Sequence, residues 1–286
     1  NGTFPSRVDY NVGSVPGAVA IADLGGDGRP DLVVANKLGS TLTLLPGLGG
    51  GAFGASSTLT TGSTPAAVVV RDVNRDGLPD LLTADYGTGK VSVFLSVGGS
   101  YPTRSSYTVG SNPIALVVED FNGDRYPDLA EANFLSSTIT VLLNDGAGGF
   151  GQRADYTTGL TPNALTTGDL DGNGTLDLIV SNRDAASVSV FSGIGDGTFA
   201  ARADFAAGPQ PSAVVFGDVN GDALADISVA TSGGNGVSVL LGTGGVALAA
   251  PIEFAVGASP VGLALADVSG DGVPDPLEDC EDGNTT

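Results

Sequence analysis

Apolar and polar positions along the 286-residue chain alternate in short bursts. Val91-Ser92-Val93-Phe94 and Val188-Ser189-Val190-Phe191 place an apolar side chain at every second residue. That period marks a half-buried strand. Other apolar runs, at residues 18–23, 32–35, 114–119 and 178–180, predict further short strands. No stretch keeps a helical period over a useful length. Turn formers separate the bursts: the chain has 45 Gly and 16 Pro. That density argues against long helices and favours many short strands.

The whole pattern recurs. An acidic segment appears six times: DLGGDGRPD from Asp23, DVNRDGLPD from Asp72, DFNGDRYPD from Asp120, DLDGNGTLD from Asp169, DVNGDALAD from Asp218 and DVSGDGVPD from Asp267. The first aspartates lie 49, 48, 49, 49 and 49 residues apart. Ten residues before each stands a glycine (Gly13, Gly62, Gly110, Gly159, Gly208, Gly257), and seven before stands a proline (Pro16, Pro65, Pro113, Pro162, Pro211, Pro260). Two further register positions collect aromatic rings: Tyr10, Tyr107, Tyr156, Phe205 and Phe254 at one, Phe4, Phe53, Tyr101, Phe150 and Phe199 at the other. Rings locked to a repeat are read as packing between units. One strand after the Gly-x-x-Pro turn, one leaving the acidic loop, one alternating, and one after a Gly-rich turn make four strands per repeat. That is the size of a propeller blade. The fold class expected is therefore all-β: a β-propeller of six four-stranded repeats, six- or seven-bladed if closed, with one blade incomplete.

Charge and composition narrow the chemistry. Eleven Lys and Arg face 32 Asp and Glu, for a net charge of −21. Such a chain repels a nucleic acid backbone or an anionic membrane surface. There is no His, which excludes Ser-His-Asp catalysis and His-ligated zinc, and one Cys, which excludes an internal disulfide framework. No apolar run approaches the length of a membrane span.

Carboxylates at positions 1, 3, 5 and 9 of a tight loop converge on one hard cation, and calcium takes six to eight oxygens. The side chains so assigned are Asp23, Asp27 and Asp31 in the first loop, where Gly25 leaves position 3 bare; Asp72, Asn74, Asp76 and Asp80 in the second; and Asp120, Asn122, Asp124 and Asp128 in the third. The fourth offers Asp169, Asp171, Asn173 and Asp177, the fifth Asp218, Asn220, Asp222 and Asp226, and the sixth Asp267, Ser269, Asp271 and Asp275. Glycine at position 6 (Gly28, Gly77, Gly174, Gly272) permits the turn. The bland alternative is a solvated Asx turn. Six loops in register favour Ca2+, about six ions. With three acids per loop, 18 of the 32 acidic residues sit in these segments, and six divalent ions would take the net charge from −21 to −9.

These loops on a 49-residue period, with Phe53-Gly54, Phe150-Gly151 and the Gly-x-x-Pro turn, resemble FG-GAP repeats, the units of integrin α-chain propellers and of VCBS-type bacterial surface proteins. The resemblance covers residues 1–275. It implies a β-propeller, usually seven-bladed, with calcium in a hairpin loop of each blade, and extracellular work in adhesion, ligand binding or scaffolding. Some relatives are fungal lectins, and some sit beside hydrolase domains.

The pattern departs from the family at both ends. Asn1-Gly2-Thr3-Phe4 aligns with Asp196-Gly197-Thr198-Phe199, the end of a repeat. Residues 4–12 are expected to close a ring as a fourth strand beside residues 261–267. Residues 276–286 read as an acidic tail or the start of a linker or stalk. There, Glu278 adds a twelfth-position ligand to the sixth loop, and Cys280 is either an inert thiol or a disulfide partner. The absence of an initiator Met fits a removed signal peptide, and sequons begin at Asn1, Asn173 and Asn284. The expected location is extracellular or at the cell surface. Acids outside the loops, such as Asp155 and Asp204, share register positions, and no pair is expected to break the repeat as a catalytic pair would. The chain is therefore read as non-enzymatic: an adhesion or ligand-binding propeller with an extracellular protein or glycan partner. The alternative is a structural subunit that joins copies of itself in a filament through the incomplete blade.

Overall fold

The computed structural model describes residues 7–266, and within them every regular element is a β-strand. Five four-stranded antiparallel sheets follow one another along the chain. The first strands are Pro16–Ala22, Pro65–Arg71, Pro113–Glu119, Pro162–Gly168 and Pro211–Gly217. The second strands are Asp31–Asn36, Asp80–Asp85, Asp128–Asn133, Asp177–Asn182 and Asp226–Thr231. The third are Thr41–Leu45, Lys90–Phe94, Thr138–Asn144, Ser187–Phe191 and Gly236–Leu240. The fourth are Ser57–Thr60, Ser105–Thr108, Phe150–Thr157, Ala203–Ala206 and Ile252–Ala255. Each sheet is one blade, with its strands in chain order. The first strand of each blade packs beside the first strand of the next, so these five line the inner side of an arc.

Two residue types set the blade's geometry. Proline opens every first strand, and the pairing register slips between it and the residue two further on: Pro65/Ala67, Pro113/Ala115 and their equivalents. Proline has no N–H to give the ladder, so a bulge at the strand's start accommodates it. The glycine ten residues before the acidic loop lies against the end of the second strand. A Cβ at Gly62 would meet the Asp85 carboxylate at 2.4 Å, and one at Gly110 would meet Asn133 at 2.6 Å.

The cores lie between blades. Leu42 of blade 1 meets Leu81 and Phe94 of blade 2; Leu82 and Val91 meet Leu116 and Leu129; Ala130 and Ile139 meet Leu178 and Val180; Ile179 and Val190 meet Ile227 and Leu240. The second strands are covered on both faces, and four of the five are buried along their whole length. Each large side chain so buried is worth about 1.5–3 kcal/mol.

The aromatic positions join neighbours as the sequence leads one to expect. Tyr10, Tyr107 and Tyr156 meet Phe53, Phe150 and Phe199 of the following blade edge-on, with centroids 5.3, 5.4 and 5.6 Å apart. The Tyr10 and Tyr156 hydroxyls accept the Phe53 and Phe199 backbone N–H. Arginines in or just before the fourth strand add a second link: Arg104, Arg153 and Arg202 donate to the carbonyls of Thr60, Thr108 and Thr157 in the preceding blade.

The ends differ from expectation. Residues 7–12 form no strand, although Tyr10 is seated on Phe53. Residues 261–266 are likewise unpaired, while Leu263 and Leu265 pack on blade 5 against Val237 and Val239. Among the described residues there is no strand on either side to pair, and the sheets do not close into a ring; residues 4–6 and 267 of the expected closure lie outside them.

Candidate metal-binding loops

Each acidic loop joins the first strand of a blade to the second. Its ninth position is the first residue of the second strand, and the side chain there is buried in all five blades: Asp31, Asp80, Asp128, Asp177 and Asp226. Both oxygens are held. One accepts the amide of loop position 2, from Leu24, Val73, Phe121, Leu170 or Val219, at 2.8–3.1 Å. The other accepts an amide sixteen residues downstream, at or just past the end of the third strand, from Gly47, Ser96, Asn144, Gly193 or Gly242, at 2.6–2.8 Å. This carboxylate therefore ties the acidic loop to the connection between the third and fourth strands. The approach is close: a Cβ at Gly193 would lie 2.2 Å from the Leu176 carbonyl. The sequence assigns position 9 as a ligand; its bracing role depends on a partner the motif does not contain.

Position 1 organises the turn. Asp23, Asp72 and Asp169 accept two successive amides, at positions 5 and 6. The Gly28 amide, foremost, holds the Asp23 carboxyl below its usual range. Position 5 is drawn into the loop itself. Asp76, Asp124 and Asp222 each accept the amide two residues on and the side-chain amide of Asn74, Asn122 or Asn220 at 3.0 Å. In the fourth loop the Asp169, Asp171 and Asp177 carboxylates come together, with one oxygen from each inside a 4.8 Å span. No other group of three acids gathers this way among the described residues. In the second, third and fifth loops Asn takes position 3, and in the first Gly25 takes it. The sixth loop, with Asp267, Ser269, Asp271, Asp275 and Glu278, lies outside the described residues, as does Cys280.

In the second to fifth loops the gathered charge is felt at position 9. Burial pushes the Asp128 carboxyl up to about 6, with Asp124 and Asp120 adding to it against the bracing amides. Burial likewise raises Asp80, Asp177 and Asp226, with their own loop acids contributing. The donor set is hard oxygen on short, braced side chains, which suits calcium and offers nothing to thiophilic metals.

Acids outside the loops serve the sheets. Asp155, Asp204 and Glu253 in the fourth strands accept the hydroxyls of Thr140, Ser189 and Ser238 in the third. Arg71 and Glu119 pair across two neighbouring first strands. One expectation needs correcting, since two acids do depart from the repeat. Asp85 stands where other blades have Asn36, Asn133, Asn182 and Thr231, and Glu131 stands where they have Val34, Thr83, Val180 and Val229.

Successive four-stranded sheets, inner first strands and an acidic loop at the same corner of each define a β-propeller-type repeat protein. The chain belongs to the FG-GAP-like repeat family, whose model matches residues 23–83, 72–131, 120–180, 169–229 and 218–277. Each match runs from one acidic loop into the repeat beyond the next. Solved structures of similar fold include a periplasmic gluconolactonase of Pseudomonas aeruginosa, with a TM-score of 0.66 and 20% identity over 87% of this chain and 72% of that one. A functionally unknown protein of Desulfotomaculum acetoxidans gives 0.62 and 15% over 88% and 75%. An Agrocybe aegerita lectin specific for non-reducing terminal N-acetylglucosamine gives 0.54 and 17% over 82% and 65%. These likenesses describe the fold. No curated protein matches the chain.

Proposed function

We propose that the acidic loops hold calcium, about one ion each, and that the protein is an extracellular adhesion or ligand-binding propeller whose blades the ions stiffen. The observation that carries this reading is the convergence of Asp169, Asp171 and Asp177 within 4.8 Å in a braced loop. The other four described loops repeat the same frame with a carboxamide or glycine at position 3. Millimolar calcium outside cells matches loops of this modest charge.

The opposite end of the blades is the proposed ligand face. There the residue after each second strand differs in every blade: Lys37, Tyr86, Phe134, Arg183 and Ser232. Lys37 and Tyr86, with Thr64, Ala66 and Ile114, line a depression of about 320 Å³. A constant frame carrying variable aromatic and cationic residues suits recognition of a protein or glycan rather than catalysis. The lectin of similar fold makes terminal sugars one class to screen.

A second reading, self-assembly, has its own observation. Val19 and Ile21 on blade 1 are 59% and 68% exposed, whereas at the same two register positions Val68, Leu116, Val118 and Val214 are buried against the preceding blade and Val70, Leu165, Thr167 and Phe216 are half-buried. This apolar face fits another blade of the same kind, supplied by a second copy.

Native mass spectrometry in calcium, repeated after chelation, tests both. The expected result is a monomer with about six ions that chelation removes. Absence of bound calcium refutes the metal assignment. A ladder of multimers that Ile21→Asp abolishes moves the conclusion to assembly.

A further inference from the structure

Glu131 breaks the repeat at a place where the rest of the frame is intact. It lies in the second strand of blade 3, is fully buried, and neither carboxyl oxygen has a hydrogen-bond partner. By strand alternation it shares a face with Leu129, which lies in the core between blades 2 and 3. The backbone amides that favour its charged form, those of Ile114 and Ala115, lie at the bulge of the adjoining first strand.

The surrounding charges offer no counterion. The neighbouring third strand, Thr138–Asn144, carries no charged residue. The neighbouring first strand carries only Glu119, at its far end and paired with Arg71 of blade 2 at 2.5 Å. In blade 2, Lys90 is exposed at a strand end. The charge in blade 2 that acts on Glu131 is also negative: Asp85, which accepts the hydroxyls of Thr83 and Ser92 at 2.9 and 2.5 Å. An ionised carboxylate sealed from water, with no hydrogen-bond partner and no counterion, is far less favourable than the neutral acid.

We infer that Glu131 is a proton-binding site, carried as a neutral acid in the folded protein, and that loss of its proton loosens the interface between blades 2 and 3. Burial, foremost, places the folded carboxyl well above the usual carboxylate range, and Asp85 pushes the same way against the two bulge amides. The direction of the pH effect follows. A carboxyl raised on folding contributes its full stability below its unfolded value, near 4.5, and loses it as pH rises through the folded value. Within that window the unfolding equilibrium constant grows about tenfold per pH unit.

The test is equilibrium unfolding of the full chain at saturating calcium from about pH 5 to 9, for the native protein, Glu131→Gln and Glu131→Val. The expected ratio of native to Gln-variant unfolding constants climbs steeply with pH and approaches tenfold per unit. Infrared spectra at neutral pH should show a protonated-carboxyl C=O band in the native protein that Glu131→Gln lacks. If the Gln variant does not fold, Glu131→Val carries the comparison, since valine holds this position in three other blades. Faster amide exchange at high pH in Pro113–Glu119 and Asp128–Asn133, absent from the variants, would place the loosening at this interface. A ratio that is flat across the range, or no such infrared band, overturns the inference.

Discussion

Position 6 of the acidic loop shows what a single residue contributes. Gly28, Gly77 and Gly174 adopt φ of +79°, +87° and +86°, and there glycine is the natural choice. Arg125 and Ala223 take the same left-handed backbone, at φ +76° and +68°, with a Cβ to accommodate. That conformation costs a non-glycine residue about 1–2 kcal/mol. Ala223→Gly relieves it and gives back part through the freer unfolded chain. The variant should be more stable by about 0.5–1 kcal/mol, read from urea unfolding at fixed calcium. An unchanged or lower midpoint would show that the loop is not strained there. At this scale the acidic loop positions were legible in the sequence because they lie within nine residues. The amide partners of Asp177 were only half so: Leu170 is inside the motif, whereas Gly193 is sixteen residues beyond it. Glu131 was hidden for another reason, since its significance depends on a blade interface that no local spacing reveals.

Strands were the most readable elements, since alternation and turn residues bracket them on a fixed period. The contacts between strands of different blades were less so. Tyr156 meets Phe199 across 43 residues, and the hydroxyl accepts the Phe199 amide at 3.2 Å. Tyr156→Phe keeps the ring and removes the acceptor. It should cost about 1–2 kcal/mol in chemical unfolding. Tyr107→Phe, whose ring packs on Phe150 in the same way, should cost less if the hydroxyl is what matters. Equal losses would mean the bond contributes nothing beyond packing. The absence of a strand at residues 7–12 teaches a related lesson. Tyr10 keeps its place on Phe53 through side-chain contact, but a strand needs a backbone neighbour, and among the described residues that neighbour is missing.

For the whole molecule, the sequence period carried the architecture and left closure open, because ring closure is decided by the ends and not by the repeat. Stability is distributed accordingly. Each core joins one blade to the next, so the molecule approaches a one-dimensional chain of nearest-neighbour interfaces. Among the described residues, no strand is shared between the first and fifth blades. Stretching between the two ends should therefore open blades singly. Each opening frees a repeat of 49 residues, about 160–180 Å of extended chain. Single-molecule pulling should show steps of that length in calcium; one abrupt extension of the entire chain would contradict nearest-neighbour stability. The inter-blade seams thereby become mechanical fuses. A molecule held between two surfaces would lengthen in measured amounts of slack, and the load it transmits would be capped by its weakest seam until the last blade had opened.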